Sequence, residues 1–217
     1  MKQKAGRDDV MDGRKPGQWL IILRELLRTP RDIGALCPSS AALANEMARP
    51  FGASFLKSGY LVELGAGTGP VTEALLMRGV PPSRLVVVEK SESLALCLRS
   101  RFSDVNVLCC PAEELKAEMG GLAPVLAVVS SLPFRSLPPA VSVAIMSETE
   151  RILAPGGLFV QFTYALLGEM PFVPKTFRKV RSKIIMRNIP PAKVEVFRKP
   201  KAEADGPDIS AGGSGAE

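Results

Sequence analysis

The chain has 217 residues, 46% of them hydrophobic and 23% charged, enough to bury the core of one α/β domain. It contains no histidine, which removes imidazole as a general base and takes away the commonest nitrogen ligand of zinc, so no metal site is expected. Against 22 Asp+Glu stand 28 Lys+Arg, a net charge of +6. That excess either solubilises the surface or meets an anionic partner such as a membrane, a nucleic acid or a phosphorylated substrate.

Residues 1–17 are polar with Gly and Pro, and are expected to be disordered. From Gln18 to Arg28 the pattern turns helical: Trp19, Ile22, Leu23, Leu26 and Leu27 recur at three- and four-residue spacing, with Arg24 and Arg28 on the other side. The apolar run Trp19–Leu27 is broken by Arg24-Glu25 and is too short to span a bilayer or act as a signal peptide. Pro30 stops this helix, and Pro38-Ser39-Ser40 predicts the cap of a short helix over 41–48.

Strands and helices then alternate. Strands are predicted over 60–64, 85–88, 105–108, 125–129 and 158–164, with helices to about Arg78, from Ser91-Glu92, over 112–119 and over 139–153, the last closed by Pro155-Gly156-Gly157. Continuous apolar strands between helices mean a parallel sheet covered on both faces. Ile184–Ile189 and Val194–Phe197, joined through Pro190-Pro191, read as a final antiparallel pair. The chain thus divides into a disordered start (1–17), N-terminal helices covering the site (18–50), one domain (51–200) and a loose Gly/Ser/Ala/Asp tail (201–217). Cys37, Cys97, Cys109 and Cys110 show no CxxC spacing, and the adjacent pair reads as buried thiols in a reducing cytosol.

The chemistry is carried by the turn after the first predicted strand, Glu63-Leu64-Gly65-Ala66-Gly67-Thr68-Gly69. Three glycines let the backbone turn tightly and approach a ligand without Cβ interference. The spacing is GxGxG rather than GxGxxG, with an acid two residues before the first glycine, and Glu89 closes the second strand twenty residues past Gly69. An acid there can accept hydrogen bonds from ribose hydroxyls. The loop resembles motif I of the class I methyltransferases, which implies S-adenosylmethionine as cofactor, held by Glu63, Gly65, Ala66, Gly67, Thr68, Gly69 and Glu89. The same resemblance puts adenine-side contacts at Ala112 and Glu113, although Pro111 stands where Asp is common, and Ser130 beside the cofactor. Glu113 reads equally as a first-turn helix charge favoured by the macrodipole.

After the fourth strand comes Ser131-Leu132-Pro133-Phe134, on the edge where ligands bind in open α/β sheets. Adenine-N6 methyltransferases carry Asn at the place of Ser131. A hydroxyl orients a flat exocyclic amine poorly but can accept from an aliphatic one. Together with Ile33–Ser40, Leu153–Gly157, Val160-Gln161-Phe162-Thr163-Tyr164 and Asn188-Ile189-Pro190-Pro191-Ala192, these segments resemble the soluble bacterial phospholipid N-methyltransferases of the Rhizobium/Agrobacterium type over roughly 18–198.

The resemblance implies a Rossmann-like class I methyltransferase fold, with a seven-stranded, mostly parallel sheet whose last strand is antiparallel. It implies stepwise methylation of the phosphatidylethanolamine amine by a monomeric cytoplasmic enzyme that visits the inner face of the membrane. Tyr164 is the candidate for orienting the amine, with Ser131 beside it. Leu132, Pro133, Phe134 and Gln161 are candidate substrate contacts, with Phe134 and Phe162 either stabilising a cationic amine or packing in the core. Trp19, Leu23, Arg24, Leu27 and Arg28 are candidate membrane contacts, or one face of an ordinary core helix. The basic stretch Lys175–Lys201, in which Glu195 is the one acid, suits anionic lipid or RNA. RNA adenine-N6 dimethylation and a non-catalytic membrane scaffold are the competing readings; nucleic acid is not the favoured partner, and intact glycines argue against a scaffold.

Overall fold

The computed structural model describes residues 37–52 and 59–201, with backbone alone for 37–40. The expected disordered start, the helix carrying Trp19, Leu23, Arg24, Leu27 and Arg28, the Ile33–Leu36 segment and the tail past Lys201 lie outside the described residues. The elements run α1 (Cys37–Ala48), β1 (Tyr60–Leu64), α2 (Pro70–Met77), β2 (Leu85–Val88), α3 (Glu92–Arg101), β3 (Asn106–Leu108), α4 (Leu115–Glu118), β4 (Val125–Ser130), α5 (Pro139–Ile152), β5 (Leu153–Thr163), β6 (Arg178–Ile185) and β7 (Ala192–Arg198). They form one seven-stranded sheet in the order β3-β2-β1-β4-β5-β7-β6. Five strands are parallel neighbours, and β7 alone runs against both β5 and β6.

Alternation along each central strand fills a core on each side. Leu61, Val87, Val129 and Val160 pack with Met47, Leu75 and Leu98 from α1, α2 and α3. Val62, Val86, Val128 and Phe159 pack with Leu115, Ile145 and Met146 from α4 and α5. Buried on both faces, these strands need no polar side, which is why they read as continuous apolar runs. The register aligns Leu108, Val88, Leu64, Ser130 and Gln161 in one row across five strands. Each following residue therefore emerges at the same carboxyl edge: Glu89, Gly65, Ser131 and Phe162 stand side by side above the row. This edge gathers the predicted site residues.

Several boundaries differ from expectation. Helix α1 begins at Cys37, so Pro38-Ser39-Ser40 fall within its first turn, where a proline costs no backbone bond. The predicted helix over 112–119 is a 3₁₀ turn at Ala112–Glu114 followed by the single turn of α4. Cys109 is exposed and only Cys110 is buried, since neighbouring residues at a strand end point to opposite sides. Burial, with smaller contributions from the surrounding acids, pushes the Cys110 thiol up to about 11.

The largest revision concerns the last hairpin. Its first strand is Arg178–Ile185, not Ile184–Ile189, and residues 186–191 form the connection. An edge strand has one solvated face, and its run of Arg and Lys disguised the alternation. Much of that basic stretch is tied down. Arg181 and Lys183 reach Glu46 of α1, which also meets Arg49. Lys179 and Lys193 both pair with Glu195, and Lys199 donates to the carbonyls of Glu150 and Leu153. The Glu46 carboxylate is the polar fastener between α1 and the edge strand. Glu46→Ala is expected to lower unfolding free energy by about 1–3 kcal/mol, because removing it strands two partly covered cations. Urea denaturation of the variant against the parent chain measures this directly.

Candidate functional site

The glycine loop is shaped before any ligand is considered. Gly65, Gly67 and Gly69 have φ of +69°, +59° and +87°, a region other residues enter at a cost. The Gly65 N–H donates to Val88 O at 2.8 Å, pinning the loop to the end of β2. A Cβ on Gly65 would collide with the Leu132 side chain, so the loop and the turn after β4 are in direct contact. Gly69 packs its Cα face against Leu98 and Phe102, and Pro70 then starts α2 with φ already set. Arg101 of α3 donates to the Thr68 carbonyl at 2.9 Å and pairs with Glu73 at 2.7 Å, bracing the loop from outside.

Glu89 organises the inner side. Its Oε2 accepts from the Gly67 N–H at 2.9 Å and its Oε1 from the Ser91 N–H at 3.0 Å. Each carboxylate oxygen has a second lone pair, so both remain able to accept from a pair of hydroxyls. Glu63 lies directly beneath the loop and is fully buried. Thr72 of α2 donates to its Oε2 at 2.6 Å, while Oε1 has no partner among the described residues. Burial raises the Glu63 carboxyl to about 7, opposed by the Thr72 hydrogen bonds.

Ala112 is buried and Glu113 half-buried on the 3₁₀ turn past β3, at the same edge. Ser130 is fully buried, with Oγ accepting from the Leu132 N–H at 3.3 Å, and the Ser131 N–H donates to Leu64 O at 2.9 Å. Leu132 and Pro133 are half-buried. Phe134 lies within the core cluster on the α4–α5 side of the sheet. Gln161 is almost fully buried; its Nε2 donates to the carbonyls of Leu132 and Phe162 at 2.8 and 2.9 Å. Its Nε2 thereby holds the shape of the turn, while its buried Oε1 has no partner among the described residues.

Tyr164 stands just past β5, its ring edge-on to Phe162 with centroids 5.4 Å apart. Burial raises its phenol above the ordinary range, and a hydrogen bond with Asn188 opposes the rise. Asn188 is buried in the β6–β7 connection and donates to Pro190 O at 2.7 Å. Asn188, Thr72 and Arg101 are the residues that sequence reasoning missed. Asn188 was visible inside a recognisable segment without a role; Thr72 and Arg101 carry no signal until α2 and α3 are docked. Among the described residues no group of acids and thiols is arranged to hold a metal ion.

No family model matches the chain. Among solved structures, a 1,6-didemethyltoxoflavin-N1-methyltransferase from Burkholderia thailandensis with bound S-adenosylhomocysteine superimposes at TM-score 0.59 with 18% identity, over 92% of this chain and 94% of that one. The N-methyltransferase NodS from Bradyrhizobium japonicum, in complex with S-adenosylhomocysteine, gives TM-score 0.62 with 13% identity over 83% and 98%. At such identities the likeness is one of fold. An ornithine lipid N-methyltransferase from Singulisphaera acidiphila is 30% identical over 184 residues, spanning 80% of this chain and 92% of that protein. The chain belongs to the class I lipid N-methyltransferases.

The cofactor of such a lipid N-methyltransferase is S-adenosylmethionine, and the residues fit it. A buried carboxylate oxygen without a partner beneath the loop suits an ammonium, and Glu89 suits ribose hydroxyls. Glu89→Ala is expected to weaken cofactor binding at least about tenfold, since it removes two loop bonds and a charged acceptor. Glu89→Gln should fall between, because its NH₂ must face one of two N–H donors. Isothermal titration calorimetry reads both.

The Glu63 shift also has a pH consequence. A carboxyl raised from 4.5 to about 7 favours the protonated folded state, so stability without cofactor declines as pH rises from 4.5 to about 7. Glu63→Gln should flatten that decline in thermal melts. In the parent chain cofactor binding should release protons near pH 6–7, as the ammonium restores the carboxylate, and this release should vanish in Glu63→Gln.

Proposed function

We propose that the chain N-methylates the amino headgroup of an aminolipid at a membrane surface, with S-adenosylmethionine as methyl donor. Two headgroups fit the reading: phosphatidylethanolamine with its mono- and dimethyl forms, suggested by the sequence resemblance, and ornithine lipid, suggested by the 30% identical relative. Both present a primary aliphatic amine. The observation that carries the reading is the Tyr164–Asn188 pair at the carboxyl edge, on the same side as the glycine loop and the Ser131 turn.

The cofactor, when bound, supplies a methyl group on a sulfonium. The amine must then offer a lone pair in line with it, so positioning and exclusion of water account for most of the acceleration. The Tyr164 phenol stays protonated because its pKa is raised, and Asn188 fixes where its oxygen points. That oxygen can accept from an amine N–H and aim the lone pair, while the surplus proton leaves to water. Ser131 offers a second acceptor on the turn shaped by Gln161.

In this reading the chain acts as a monomer bound peripherally at the cytoplasmic face of the membrane. Among the described residues no helix is long and apolar enough to cross a bilayer. RNA adenine dimethylation is the weaker reading, because Ser131 cannot supply the amide that pairs with a nucleobase amine. Transfer of labelled methyl to vesicles holding ornithine lipid or phosphatidylethanolamine, with ribosomal RNA in parallel, decides among them. Label entering RNA alone would overturn the proposal, and cofactor binding without any transfer would favour a scaffold. Tyr164→Phe is expected to lower kcat about ten- to hundredfold with cofactor affinity unchanged. Full turnover in that variant removes Tyr164 from the role.

A further inference from the structure

At the carboxyl edge, three large apolar side chains stand in solvent: Leu167, Ile189 and Met186 are 88%, 73% and 70% exposed. Two of them, Met186 and Ile189, lie in the β6–β7 connection, immediately beyond the Ile185–Ala192 pair. Leu167 lies in the segment leaving β5, and Lys193 at the root of the hairpin donates to Gly168 O at 2.8 Å. Arg135, just past the Ser131–Phe134 turn, donates to Glu169 O at 2.9 Å. These bonds join three separate loops into one rim around the end of β5, with the Tyr164–Asn188 pair inside it.

Exposed Leu, Met and Ile clustered at loop tips are costly for a protein that meets only water. Their surroundings are basic: Arg187 is exposed beside Met186 and has no acidic partner among the described residues, and exposed Arg135 stands on the rim beside the acid Glu169. Apolar tips beneath a collar of cations match the layering of an anionic bilayer, acyl chains below and phosphates above. Geometry adds an independent reason. A headgroup amine stays within a headgroup's length of the interface, so it reaches Tyr164 only if this edge faces the bilayer.

We propose that Leu167, Met186 and Ile189 form an insertion edge by which the rim docks on anionic phospholipid, with Arg187 and Arg135 at headgroup level. This rests on the aminolipid reading, since it presents the same Tyr164 site to its substrate. It orients the mouth of the site.

The chain has one tryptophan, so a Trp19→Phe background is silent and Ile189→Trp reports alone. On adding phosphatidylglycerol-containing vesicles, its emission should shift to the blue and be quenched by brominated acyl chains. Met77→Trp, at the far end of α2, should do neither. An Ile189→Trp emission that ignores vesicles, or that is already blue without them because the chain or a second copy covers the patch, overturns the proposal. In the second arm, Leu167→Asp, Met186→Asp and Ile189→Asp together should cut turnover of vesicle-borne aminolipid about tenfold or more. Turnover of a short-chain, monomerically dispersed aminolipid should stay at the parent rate, which also shows that the variant folds. Equal loss on both substrates overturns the insertion edge. Should the parent chain methylate no aminolipid at all, the functional reading fails, and the fluorescence arm still decides the docking surface.

Discussion

Two backbone N–H groups from different loops converge on the Glu89 carboxylate, and the geometry of the site follows from that convergence. One comes from Gly67 in the loop between β1 and α2, the other from Ser91 at the start of α3. The Glu89 N–H in turn donates to Leu108 O at 3.1 Å, so a single residue links β1, β2, β3 and two helices. An ionised acceptor makes such bonds shorter and stronger than neutral ones. The left-handed glycines are the other half of the arrangement, since only they let the Gly67 N–H turn inward without strain. What emerges is a loop that is already formed, with acceptor capacity left over on the side where ribose hydroxyls would lie.

Three of the buried acids show how the electrostatic work is divided. Glu89 is braced and stays able to accept. Glu63 is left with an open oxygen in a dry place, and burial raises its carboxyl to about 7. Glu46 has no part in the site; it neutralises Arg181 and Lys183 and fastens the edge strand to α1. The basic stretch is consequently two populations. Most of its cations are structural; of the exposed ones Arg187 stands near the mouth of the site, while Arg178 and Lys201 lie at the opposite end of the sheet.

Much of this was legible along the chain. The Val-rich strands announced a buried parallel sheet because a strand covered on both faces has no polar side to show. The glycine spacing and Glu89 were legible because both act through local backbone geometry and fixed sequence distance. The first strand of the last hairpin starts six residues earlier than expected, because solvent-facing Arg and Lys overwrote its alternation. Gln161 was read as a substrate contact; its Nε2 is occupied by the carbonyls of Leu132 in the turn and Phe162 in β5, while its Oε1 has no partner among the described residues. Nothing in the order of residues says that the carbonyl of Leu132 lies within reach of a strand almost thirty positions later.

By itself, then, the amino-acid order determined the sheet, the loop and the class of cofactor, since these depend on hydrophobic period and on glycines at set spacing. Tertiary structure decided which polar groups are spent and which remain available. Asn188 on Tyr164 and Lys193 on the Leu167 loop are meetings between segments far apart in the chain, and Thr72 meets Glu63 only once α2 folds back over β1. Hydrogen bonds and burial depend on distance in space, and only the folded packing of α2, the hairpin and the sheet edge sets those distances.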